Sequence, residues 1–95
     1  MKKVIIESPY KSDVQSEVIR NKQYAITCME DCWKRGEAPY ASHLLYTNFI
    51  NEFNDVERNQ GIEMGLAWGA HADLTAVYTD FGITEGMKTG IERAM

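Results

Sequence analysis

The sequence predicts an α/β domain of three layers, built on a short parallel sheet with strand order 2-1-3. Two observations point there. Short runs rich in β-branched residues, "KVIIE" at 3–7 and "LTAVYT" at 74–79, are separated by long stretches of helical pattern. The resulting alternation β, α, β, α, α, β, α requires crossover connections, which join parallel neighbours and are right-handed.

"KVIIE" is continuously apolar up to Glu7 and is closed by "SPY", as suits a strand buried on both faces. A long helix follows. Ser12 and Gln15 stand in capping-box relation, and Gly36, after Lys34 and Arg35, supplies the stop. Its expected inward stripe is Val14, Val18, Asn21, Ala25, Cys28 and Cys32, flanked by Ile26, Met29 and Trp33. "EAPY" at 37–40 reads as a second strand. Pro39 cannot donate to a ladder, which assigns this strand to an edge. "ASHLLYTNFI" reads as a short helix, and Asn54 with Glu57 opens another from about Asp55 to about Ala70. Gly61, Gly65 and Gly69 recur along it at every fourth position and permit close approach, either to the chain's own sheet or to a second copy. After the last strand, Thr84 caps a final helix, "EGMKTGIERAM".

At 95 residues the chain makes one domain, 1–95, which buries only roughly 60 to 65% of its unfolded surface, so self-association into a homo-oligomer is expected. Apolar residues at 44% and charged residues at 25% mark an ordinary globular composition. A net charge of −4 argues against a nucleic-acid polymer as partner. No apolar run approaches the roughly 20 residues of a membrane span, and the start turns polar too early for a signal peptide, so a cytoplasmic location is expected. "CMEDC" lacks the spacing and the histidines of a zinc site, so Cys28 and Cys32 are read as buried free thiols, with no metal and no cofactor expected.

Ligands of open α/β sheets bind beyond the carboxyl ends of the strands where connections leave in opposite directions, here between strands 1 and 3. Three segments are expected to meet there: Glu7-Ser8-Pro9-Tyr10, Tyr40-Ala41-Ser42-His43 and Asp80 to Thr84. Tyr10 and Tyr40 suit stacking on a base, or simple packing. His43 suits proton transfer, or a cap. Asp80 suits two ribose hydroxyls, or its own turn, while the backbone around Gly82 and Thr84 suits a phosphate. Asn21, beside Arg20 on the buried stripe, needs a partner, either a loop carbonyl or a ligand. Arg58 shares the face of Gly61 and Gly65 and points to the pocket or to an oligomer contact.

The strand ending "ESPY", the long helix, the step "G-E-A-P" and the segment "DFGITEGMKTGIERA" together resemble nucleoside 2-deoxyribosyltransferase-like proteins, particularly small members carried by bacteriophages. The resemblance implies a flavodoxin-like or Rossmann-like fold that binds a nucleoside or nucleotide, with a glutamate on the last motif as nucleophile, in the manner of a retaining glycosidase. Aligned on Gly90, that glutamate is replaced by Lys88. The family's further strand is missing, so the strand 3 edge is expected to be covered by another subunit.

The expectation that follows is non-catalytic binding of a nucleotide-derived small molecule and, from the resemblance, sequestration by a phage of a host nucleotide immune signal. Ser8, Pro9, Tyr10, Arg20, Asn21, Tyr40, Ser42, His43, Arg58, Asp80, Gly82, Thr84, Gly86 and Met87 are the expected ligand contacts. The alternatives are an N-glycosidase or deoxyribosyltransferase using Glu7 or Glu85 with His43, and a structural domain without ligand.

Overall fold

A computed structural model describes residues 1–94. The elements run β1 (Lys3–Glu7), α1 (Gln15–Lys34), β2 (Ala38–Tyr40), two 3-10 turns (Ser42–Leu44 and Tyr46–Asn48), α2 (Asp55–Gly69), β3 (Leu74–Val77) and α3 (Glu85–Ala94). The three strands form one parallel sheet in the order β2-β1-β3, with Ile5 opposite Tyr40 on one side and Thr75 on the other. Pro39 therefore sits on an edge strand, where its missing N–H costs no central ladder bond.

Right-handed crossovers in this order put α1 on one face of the sheet and α2 on the other. The pleat follows the same division. Val4 and Ile6 are buried with Cys28, Cys32 and Ala41, and Tyr24, Met29, Ala76 and Tyr78 pack against this cluster. Ile5 and Glu7 point the opposite way and are only half-buried. β1 is thus closed on its α1 face and partly open on the other, where burial on both faces was expected.

The end of α1 is a Schellman motif: Gly36, at φ +75°, donates to Trp33 O at 2.9 Å, and Glu37 donates to Cys32 O at 3.0 Å. Its start departs from the expected capping box. Val14 is the N-cap residue and gives no side-chain bond, while Ser12 lies outside the helix, accepting from Val14 N at 3.1 Å and donating to Glu17 Oε1 at 3.0 Å. Of the expected stripe, Asn21, Ala25, Cys28 and Cys32 are buried, whereas Val14, Ile26 and Trp33 are exposed. Cys28 and Cys32 are free thiols.

The segment after β2 forms two 3-10 turns where a short helix was expected. Thr47 Oγ1 donates to His43 O at 2.6 Å and Asn48 Nδ2 donates to Leu44 O and Leu45 O at 3.0 Å, so side chains take up carbonyls of this stretch. Asn54 caps α2, accepting from Val56 N and Glu57 N. Glu57 reaches back past Asn54 to accept from Asn51 N, three residues beyond the position that would close the box. Thr84 caps α3 by accepting from Met87 N at 3.2 Å.

The glycine ladder of α2 packs within the chain. A Cβ on Gly65 would lie 2.9 Å from Ser42 Cβ, and one on Gly69 would lie 3.7 Å from Ile5 Cγ1. Helix and 3-10 turn approach each other this closely because no side chain intervenes.

Candidate functional site

A cleft of about 730 Å³ opens between the Ile5/Glu7 face of the sheet, the first 3-10 turn, α2 and α3. It runs along that face from Ala72, Asp73 and Leu74 at the amino end of β3 to the carboxyl end of the sheet, where it lies between β1, whose chain leaves toward α1, and β3, whose chain leaves toward α3. That is the point where doubly wound sheets hold ligands.

Glu7 is part of its wall. As the last residue of β1 it points into the cleft, and a Cβ on Gly90 of α3 would overlap its carboxyl group. Among the described residues no cation lies in salt-bridge range of Glu7. Burial pushes its pKa up to about 7, so the carboxyl exchanges its proton near neutrality.

Beside it, Ser8 Oγ and His43 Nε2 share a hydrogen bond of 2.9 Å. Burial lowers the His43 pKa to about 4, which keeps the imidazole neutral at pH 7. The Tyr10 ring leans on His43 with centroids 5.6 Å apart. Tyr40 donates to Tyr46 Oη at 2.8 Å, and both rings line the cleft. Ser42 joins them from the turn that Gly65 holds close.

The remaining wall is the first turn of α3. Thr84, Gly86 and Met87 line it, and Arg58 of α2 lies across it, its guanidinium 3.6 Å from where a Cβ on Gly86 would stand. Arg58 also faces Glu52 at 3.7 Å. A guanidinium beside the positive end of a helix favours an anionic group.

Nine of the fourteen expected ligand contacts therefore line one cleft: Ser8, Tyr10, Tyr40, Ser42, His43, Arg58, Thr84, Gly86 and Met87. The other five do not. Pro9 is buried behind the β1 exit. The amide of Asn21 donates to Tyr10 O at 2.9 Å, so its partner is a loop carbonyl, and it holds the Tyr10 loop in place. Arg20 donates to Asn21 Oδ1 and stacks over Phe81, 4.2 Å from the ring centroid. Asp80 accepts from Tyr24 Oη of α1 at 2.9 Å, and Gly82 occupies the adjacent turn at φ +83°. Both stand outside the cleft.

The carboxylates separate in the same way. Glu85 reaches the cleft mouth but pairs at 3.1 Å with Lys88, and its side chain is 90% exposed. Lys88, which the expected resemblance sets at the position of a glutamate, is not part of the lining. Tyr46, Thr47, Ile50, Glu52 and Arg93 line the cleft without having been expected there. For Tyr46 and Ile50 the signal is the ladder itself, because both pack where Gly61 leaves room.

Among the described residues no group of three metal-ligating side chains occurs, and no helix is long and apolar enough to cross a membrane. Fold and cleft together define a small α/β domain on an open parallel sheet, with a cleft that reaches the β1/β3 switch point. The chain belongs to the family described as Domain of unknown function (DUF7768), which matches residues 2–95. No curated protein and no solved structure matches it.

Proposed function

We propose that this domain binds a nucleotide-derived small molecule in the cleft and leaves it chemically unchanged. The observation that carries this reading is the cleft itself. Its volume of about 730 Å³ suits a nucleotide-sized guest, since small-molecule sites span roughly 300 to 1,000 Å³. Its polar groups are spaced along it: Arg58 over the first turn of α3 for a phosphate, Ser8 and His43 for hydroxyls, and Tyr10 and Tyr40 for a base. Lys88 in place of the family's nucleophile, and outside the lining, favours retention over cleavage. Sequestration of a host nucleotide signal by a phage extends the same reading and draws on the family resemblance.

The test is incubation with a panel of nucleosides, nucleotides and cyclic nucleotides, with free ligand measured before and after the protein is denatured. Depletion followed by intact recovery is the expected result. No depletion across the panel overturns the reading.

One observation favours a second reading, in which the domain is an N-glycosidase. Glu7 is a carboxylate inside the cleft with no salt-bridge partner among the described residues, and its pKa near 7 suits an acid or base at neutral pH. Release of a free base in the same panel would select this reading, and Glu7→Gln would then abolish it.

A further inference from the structure

Helix α1 buries one face against the sheet through Asn21, Ala25, Cys28 and Cys32. Another face carries large apolar side chains into solvent: Ile19, Ile26 and Trp33 are 57%, 42% and 71% exposed. They recur at intervals of seven residues, which on a helix makes one continuous stripe, roughly 130° around from the core face. Three such residues in line along a helix of roughly 30 Å form a seam, unlike singly scattered apolar residues.

The stripe and its charges are symmetric about Ile26. Ile19 and Trp33 stand seven residues to either side of it, and Lys22 and Glu30 stand four to either side. Among the described residues, neither Lys22 nor Glu30 has an ion-pair partner. An antiparallel pair of these helices with its two-fold axis at Ile26 sets Ile26 on Ile26, Ile19 on Trp33 twice, and Lys22 against Glu30 twice. A parallel pair would set like charge beside like charge at both positions. Charge and shape thus select one occupant and one register.

We propose that the exposed face of α1 is a self-association surface, on which two copies of this chain dock antiparallel through Ile19, Ile26 and Trp33. Lys22 of each copy faces Glu30 of the other. A single helix pair falls at the small end of specific interfaces, so the dimer exchanges with monomer. The surface lies across the sheet from the cleft, leaves the cleft open in both copies, and stands independently of what the cleft binds.

Sedimentation velocity over a concentration series is the first measurement. Wild type gives a concentration-dependent dimer, and Ile26→Asp gives monomer. Lys22→Glu and Glu30→Lys each weaken association about tenfold, because two exposed pairs become two repulsions. The double variant Lys22→Glu/Glu30→Lys returns to wild-type affinity, as only a surface meeting its own copy requires.

A covalent readout is independent of any loss of folding. Ile26→Cys oxidises to a disulfide-linked dimer, since this position lies on the axis, whereas Ile19→Cys alone does not. Cys28 and Cys32, 2% and 0% exposed, do not compete. A wild-type monomer at every concentration, a dimer surviving Ile26→Asp, no recovery in the charge swap, or no cross-link at Ile26→Cys would each overturn the proposal.

Discussion

The Glu7 carboxyl group rests against Gly90 in the space that a Cβ on that residue would fill. This half-buried carboxylate of the cleft is therefore positioned by the absence of a methyl group on α3. Gly90→Ala pushes the carboxyl toward the open cleft, where water reaches it. The expected outcome is a downward shift of the Glu7 titration midpoint from about 7, read by carboxyl-carbon NMR. Thermal stability changes little, because the flexible carboxyl can move and alanine gains roughly 1 kcal/mol of helix propensity over glycine.

Glu7 and His43 give the folding stability two opposed pH dependences. Glu7 is raised to about 7 from its ordinary value of 4.5, so the folded state holds its proton more tightly, and stability falls as pH rises between those values. His43 is lowered to about 4 from 6.5, so the unfolded state binds its proton more tightly, and stability rises over that window. The two slopes oppose each other below pH 6.5. Urea unfolding of Glu7→Gln as a function of pH is expected to show a stability that climbs from pH 4 to 6.5 and then levels. His43→Gln is expected to show one that declines from about 4.5 to 7.

Ligand affinity separates the two faces of the sheet. His43→Ala and Tyr10→Ala are expected to weaken binding of whichever nucleotide the panel retains, by about tenfold or more, since each removes a wall of the cleft. Asp80→Ala is expected to leave affinity unchanged and to cost at most about 1 kcal/mol of stability through the lost Tyr24 bond. Lys88→Ala is expected to be neutral in both. Calorimetric titration checks all four, and a loss of affinity in Asp80→Ala would show that the guest extends around the β3 end.

Backbone geometry and packing make distinct demands on glycine. Gly36→Ala is expected to destabilise by about 1 kcal/mol or more, because φ +75° is strained for an L side chain and the Schellman bonds fix it. Gly65→Ala acts differently. Its new methyl meets Ser42 Cβ at 2.9 Å, so the 3-10 turn must shift, and the expected signature is weaker ligand binding with a smaller change in melting temperature. Melting curves paired with binding isotherms distinguish the two.

The strand order was legible because it rests on few and strong signals: the β-branched runs, the edge proline and the handedness of crossovers. Helix ends were legible where a residue type is nearly obligatory, as at Gly36 and Asn54, and not at Ser12, whose hydroxyl serves the turn before the helix. The site was legible in its segments and less so in its faces. Asp80 closes the strand-like run at β3 but shares the parity of Ala76 and Tyr78, which pack toward α1. Counting alternation from Ala76 would have placed it there. The stripe on α1 was similarly folded into an inward pattern because its residues are apolar, although Ile26 and Trp33 lie roughly 130° around the helix from the core positions, and counting helical angle separates the two faces.

Of the chain's seven glycines, two occupy positive-φ turns and the other five, Gly61, Gly65, Gly69, Gly86 and Gly90, all border the cleft. At these five points the wall is main chain, which has no rotamers to freeze. The positions of the side chains that frame the cavity are set in part by absent methyl groups, each of which a single codon change can restore. Restoring one moves the neighbour that now fills its place, Ile50 beside Gly61, Ser42 beside Gly65 or Glu7 beside Gly90, so the outline of the cleft can be adjusted in steps of one carbon at separate points around its rim.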